Sequence, residues 1–477
     1  MGMAGLLVAA FCARGADLAQ RLEAAVDSGP FAQHSTTGIS VIDLGTGKAL
    51  YSRNASRLFL PASNMKLFTT ALALETLGPD YRFTTRLVRE PSGNLLLAGS
   101  GDPSMNGRVY PYSASAGGRA PLWAIEELAD QAAAKGLRRV EGDVVGDDRL
   151  YLWEPYPPSW TQDDAVHDSG APVSALSVAD NVLTISIDPG SYEGANARIA
   201  LEPPLEYFAI DNRAITGAAG SAARVGVARI LGMRQILVSG TVPLKGAGVR
   251  ETAAVDDPAL FAACALYDAL TRRGVAVAGH PTARHRAGGE AYEEPRGETL
   301  AMRTSPPLGE LVQVTDKVSE NLHAELMLRE VGRVAKGEGS REAGLAAMRA
   351  FLAQSGATAS DLRMDDGSGL SRNDLASPAL ITRLLAFMYR SRNRDAWISM
   401  LPTGGLDGTL SRRLCCTADA GRIHAKTGTL ARSIALSGYA DSKTRGWLAF
   451  SIVVNNFDAP APEIRSWVDK IAMTLTE

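Results

Sequence analysis

From Met65 to Leu77 nearly every residue of MKLFTTALALETL is apolar or small. The absence of a polar face predicts a helix buried on all sides and closed by Gly78. Before it the period changes: Thr37–Leu44 and Lys48–Ser52 read as two strands joined by the turn Gly45–Gly47. At the far end, Arg422–Leu430, Ile434–Asp441 and Gly446–Asn456 read as successive strands, and Ala461–Leu475 as a closing amphipathic helix. These strands are expected to share one antiparallel sheet with Leu67–Leu77 packed against it, so that both ends of the chain build one domain.

Between them, roughly from Leu95 to Leu300, the texture turns to Gly, Pro and short alternating strands such as Asn181–Ile187 and Arg234–Val242. Two similar units stand there, from Pro121 and from Asp257, each a helix, a glycine and then a strand. In the second, Asp257 suits the N-cap, Pro258 the first helical position and Gly274 the stop. The expectation is an inserted α/β domain over residues 95–180 and 251–300, interrupted by a small β-rich domain at 181–250. Residues 17–94 and 301–477 remain for the outer domain.

The length of 477 residues suits a multidomain chain, and a net charge of −3 with 45% hydrophobic content argues against a nucleic-acid surface or a disordered chain. Cys12, Cys264, Cys415 and Cys416 lack CxxC spacing, and the adjacent pair bridges only with strain, so no disulfide framework is legible. Six histidines without HExxH or paired spacing give no reason to expect a metal or another cofactor. Met3–Ala13 suits the apolar core of a secretory signal but lacks basic residues before it. Bulky Phe11 argues against lipidation of Cys12, and no 18-residue apolar run suggests a spanning helix, which leaves at most a peripheral association with membrane.

Lysine is scarce, nine against forty arginines, so each position is worth examining. Ser63 and Lys66 form the only Ser-x-x-Lys in the chain, at the mouth of the apolar helix. Three residues apart on a helix share a face, and a helix N-terminus offers free N–H groups and positive potential. Ser63 is then either a helix cap or a nucleophile whose proton Lys66 takes, provided that burial or a second cation lowers the lysine pKa. Lys426-Thr427-Gly428 occurs once, in a predicted strand. It is either a strand entering a turn or an edge where Lys426 and Thr427 meet a peptide carboxylate. Ser-x-Asn occurs six times; context favours Ser319 and Asn321, on a turn entering a helix, over Ser371 and Asn373.

Together these motifs resemble the low-molecular-mass class C penicillin-binding proteins, serine D-alanyl-D-alanine carboxypeptidases and endopeptidases. The 253-residue spacing from Lys66 to Ser319 suits that class better than a β-lactamase. Gly99–Ser104, Gly142–Asp148, Gly170–Asn181, Asp366–Asp374 and Leu401–Arg413 are similar to the family as well, and the resemblance runs from about Ala19 to the end. It implies an α+β fold: a β-lactamase/D,D-peptidase-like domain, an antiparallel sheet flanked by helices, with two smaller inserted domains.

By the same resemblance Ser63 is the acylated nucleophile and Lys66 its proton acceptor. Ser319 and Lys426 relay a proton to the leaving D-alanine, and Asn321 holds the peptide amide. The N–H groups of Ser63 and Thr429 form the oxyanion hole, and Thr427, Gly428 and Thr429 line the substrate. Arg372, Asp163 and Asp164 are candidates for the diamino-acid pocket, with a solvated loop as the competing reading for the aspartates. Glu320 is expected to point away from chemistry, and His323 to lie on the helix surface.

The expected function is cleavage of D-alanyl-D-alanine, or of D-alanyl-diamino-acid cross-links, in peptidoglycan stem peptides through an acyl-enzyme. β-Lactams would be its inhibitors, and a periplasmic or exported site its location. A β-lactamase or esterase on the same scaffold, or a non-catalytic muropeptide-binding protein, is the alternative. Nothing in the sequence fixes an oligomeric state.

Overall fold

The opening hairpin forms where the alternation places it, Thr36–Asp43 against Ala49–Arg53, in a computed structural model that describes residues 17–29, 31–354, 360–415 and 419–477. The signal-like segment, Cys12 and Cys416 lie outside the described residues. The chain divides into two compact units, residues 1–79, 312–319 and 348–477, and residues 80–311 and 320–347.

The first unit is built on a five-stranded antiparallel sheet in the order Ile423–Leu430, Ser433–Ser442, Gly446–Asn455, Thr36–Asp43, Ala49–Arg53. Side chains alternate across a sheet, so Ile39 and Val41 join one apolar layer while Ser40 faces the other way. The first layer includes Leu22 and Val26 of the helix Leu18–Asp27 and Ile464, Trp467 and Val468 of the helix Ala461–Met473. On the opposite face lies the helix Pro378–Arg390, where the Ser40 and Thr382 hydroxyls meet at 2.8 Å and Tyr439 donates to the Leu385 carbonyl at 2.7 Å. Gly446–Asn455 is buried over most of its length because helices cover both faces.

The helix Met65–Leu77 is buried over its first ten residues and ends at Gly78, whose φ of 83° L-residues with a side chain rarely adopt. The Ala62–Asn64 turn, rather than the body of this helix, makes the main contact with the sheet, against Ile423–Leu430 and Ser433–Ser442.

In the second unit the two predicted helix-glycine-strand units appear as matching halves. Helices Trp123–Ala134 and Pro258–Arg272 are each followed by strands, and these pair parallel, Arg139–Val140 with Ala276–Val277 and Val144–Asp147 with Pro281–Arg284. Asp257 caps its helix through the Leu260 N–H at 2.9 Å. Leu95–Ala98, Thr84–Arg89 and Glu298–Thr304 complete a five-stranded sheet. Two three-stranded sheets occupy the stretch from Val182 to Ala254. Among the described residues, no helix is long and apolar enough to cross a membrane.

Candidate active site

The Ala62–Asn64 turn is held from both sides before the helix begins. Leu60 donates its N–H to Asn455 at 2.8 Å and accepts from Ser433 at 2.7 Å, after which Ala62 takes φ 49°. An alanine in this left-handed region costs roughly 1–2 kcal/mol, so the surroundings must hold it there. They do so closely: a side chain at Gly369 would meet the Ala62 carbonyl at 2.0 Å, and one at Gly428 would meet the Pro61 carbonyl at 2.6 Å. The glycines of two separated motifs are thus required by the approach of backbone to this turn.

Ser63 sits in the short 3₁₀ turn Ala62–Asn64, and neither it nor Asn64 caps the helix through its side chain. Asn64 instead donates to the Lys426 carbonyl at 3.0 Å, tying the turn to the Lys-Thr-Gly strand. Lys66 is fully buried, and its ammonium nitrogen lies 3.1 Å from Ser63 Oγ and 2.8 Å from the Ser368 carbonyl. The loop supplying that carbonyl is shaped by Asp366, which accepts from the N–H groups of Ser368, Gly369 and Ser371 at 3.0, 2.6 and 2.7 Å.

A second buried lysine mirrors the first. Lys426 Nζ donates to Ser319 Oγ at 2.8 Å and to the Thr427 carbonyl at 3.0 Å, while the Thr427 hydroxyl donates to Thr409 at 2.9 Å. Ser319 is itself left-handed, φ 65°, between the helices Leu308–Lys317 and Asn321–Lys336. Burial brings the Lys426 ammonium down to about 7, the charge of Lys66 adds to that fall, and Asp316 opposes it. Thr429 lies exposed near the end of the strand.

Two groups here escape motif reading. Thr409, in the Leu401–Arg413 stretch, is brought to Thr427 by a loop that Lys317 holds through Asp407 at 2.6 Å and the Leu401 carbonyl at 2.8 Å. Asp316 is fully buried, and burial raises its carboxyl to about 6 against the pull of Lys426 and Lys66. The available signal for it was periodicity: Leu308, Val312 and Asp316 lie four apart, on the stripe that faces inward.

Arg372 is exposed, just past the loop that Asp366 shapes. In the second unit, Asn321 opens its helix and donates to the Ser169 carbonyl at 2.7 Å. Glu320 pairs with Arg108, which also holds Asp180 at 2.8 Å. His323 corrects the sequence expectation: it is fully buried, with Nε2 3.0 Å from Asp180 and 3.3 Å from Asn106, because two separate segments, one carrying Asn106 and the other Asp180, pack against that face of the helix. Asp163 is exposed, whereas Asp164 forms a capping box with Thr161 at the start of a five-residue helix.

The arrangement offers an activatable serine, two buried amines and a second hydroxyl, a set suited to acyl transfer without a metal. Residues 18–475 match the family described as D-Ala-D-Ala carboxypeptidase 3 (S13). The chain is 34% identical over 495 residues to the D-alanyl-D-alanine carboxypeptidase of Actinomadura sp. (strain R39), covering 100% of this chain and 88% of that protein. The crystal structure of penicillin binding protein 4 (dacB) from Haemophilus influenzae is similar with a TM-score of 0.80 at 21% identity, over 95% of this chain and 98% of that one. The same protein complexed with a novel beta-lactam gives 0.77 at 20% identity, over 96% and 99%. At such identities the structural likeness speaks for the fold.

Proposed function

We propose how the residues divide the chemistry from one premise: this chain belongs to the D-Ala-D-Ala carboxypeptidase 3 (S13) family, and it is a serine peptidase acting on peptidoglycan. The observation that carries the division is the 3.1 Å contact between Lys66 Nζ and Ser63 Oγ in a buried setting. Lys66, as a neutral amine, takes the Ser63 proton while Oγ attacks the carbonyl carbon of the penultimate D-alanine. The tetrahedral oxyanion rests on the N–H groups of Ser63 and Thr429. Collapse breaks the peptide bond, and the leaving amine takes a proton from Ser319, which Lys426 resupplies. Water then attacks the acyl-enzyme ester and releases the shortened peptide.

Lys426, Thr427 and Thr429 receive the terminal carboxylate of the substrate, and Gly428 lets the strand come close enough to do so. Asn321 keeps its assignment to the peptide amide from its motif, and Arg372, Asp163 and Asp164 remain candidates for the diamino-acid side chain. Asp164 is the weakest of these, since Thr161 already engages its carboxylate. A β-lactam presents the same carbonyl and carboxylate, but its amine stays tethered after acylation, so the ester persists. A peptidoglycan substrate places the enzyme in the periplasm or outside the cell. Residues 95–180 with 251–300 are proposed as an inserted α/β domain, and 181–250 as a β-rich domain nested in it.

Labelling with a fluorescent penicillin tests the nucleophile: wild type is expected to label and Ser63→Ala not to, and covalent labelling of the alanine variant would refute the reading. Turnover of D-alanyl-D-alanine peptides far exceeding that of a chromogenic β-lactam separates peptidase from β-lactamase.

A further inference from the structure

We propose that Asp316 is a positioning residue whose buried carboxylate holds a single proton on the Lys66–Lys426 pair, so that one amine is free to act as a base while the other stays an ammonium. The inference rests on the roles just given to Ser63, Lys66 and Lys426. Asp316 closes the helix Leu308–Lys317 three residues before Ser319, whose hydroxyl binds Lys426, and it has no exposed surface. Among the described residues neither of its oxygens meets a hydrogen-bond donor. The Thr70 hydroxyl faces it but donates to the Lys66 carbonyl at 2.7 Å. The charged groups around it are Lys426, Lys66 and Lys317, and Lys317 is already paired with Asp407.

A buried carboxylate is unfavourable unless nearby charge compensates it. Two buried ammonium groups close together are unfavourable for the converse reason. One carboxylate, one ammonium and one neutral amine sum to no net charge and let the anion and the cation compensate each other. It is also the arrangement that the chemistry requires: a base at Ser63 and a cation at the strand. The three groups therefore titrate as a set.

The test is the pH profile of acylation in Asp316→Asn, read with a D-alanyl-D-alanine peptide and with penicillin. Without the anion both amines lose protons more readily, so the acid and alkaline limbs are expected to move to lower pH by about one unit or more. Limbs that stay in place, whether activity is kept or falls uniformly, would overturn the proposal. Mass spectrometry locating the acyl group on Ser63 in the variant keeps this outcome separate from failure of the nucleophile assignment. Should the amide impair folding, Asp316→Ser must show the same displacement. In wild type, aspartate-selective carbon NMR must show the Asp316 carboxyl ionised across the pH range of activity, and a carboxyl still protonated there overturns the proposal on its own.

Discussion

The Lys426 ammonium donates to the Ser319 hydroxyl across 2.8 Å, joining residues 107 positions apart. Ser319 has a left-handed backbone at the break between two helices. Under the roles proposed above, this contact gives the leaving amine a proton donor that is replenished from Lys426.

Ser319→Ala is therefore expected to lower kcat/KM for D-alanyl-D-alanine peptides by about 10²–10⁴-fold, the usual contribution of a positioned acid–base group. Steady-state kinetics beside a thermal melt check this. A variant that folds and retains wild-type turnover removes Ser319 from the proton path.

Lys66→Arg separates charge from basicity. A guanidinium does not give up its proton in proteins, so it restores the cation but not the base. Acylation by penicillin is expected to fall about 10²–10⁴-fold, no better than in Lys66→Ala. Recovery of the rate in the arginine variant would show that Lys66 acts as a charge alone.

Gly428→Ala places a methyl 2.6 Å from the Pro61 carbonyl and 3.1 Å from Asn64 Nδ2. Overpacking of this kind costs about 1–3 kcal/mol, relieved here by moving the strand away from the Ser63 turn. The expected result is a lower melting temperature together with slower acylation. If stability alone falls, the strand position does not control the chemistry.

His285 lies between two carboxylates, 3.0 Å from Asp148 and 3.3 Å from Asp257, and its ring stacks on Trp153. Burial opposes the imidazolium, but the hydrogen bonds and charges of both aspartates prevail and raise its pKa from 6.5 to about 10. A raised folded-state pKa makes this stabilisation complete below about pH 6.5 and loses it as pH rises through about 10. His285→Gln should cost about 2 kcal/mol at pH 6, and the difference from wild type should close above pH 10. Denaturant melts at the two pH values give the answer; an equal gap at both would discount the charge.

Much of the site is legible one segment at a time. The spacing of Ser63 and Lys66, the single Lys426-Thr427-Gly428 and the apolar run to Leu77 need only near neighbours, since helix period and turn chemistry are local. His323 shows where such reading stops. As a polar residue in the first turn of a helix it reads as exposed, whereas in the structure it is buried and meets Asn106 and Asp180, far away in the chain. Ser63 shows the same limit: a serine before an apolar helix suggests a cap, yet the turn is held by Asn64 reaching Lys426 and by Gly369 beneath Ala62.

By itself, then, the sequence determined which elements form, which residue types are equipped for acyl transfer and which family they belong with. The tertiary structure decided which of those residues lose water and which charges they face. Lys66, Lys426 and Asp316 come from three separated segments, and the shifts of Lys426 and Asp316 arise from burial and from the other members of the set. Desolvation and Coulomb fields sum over everything nearby in space, whatever its distance along the chain.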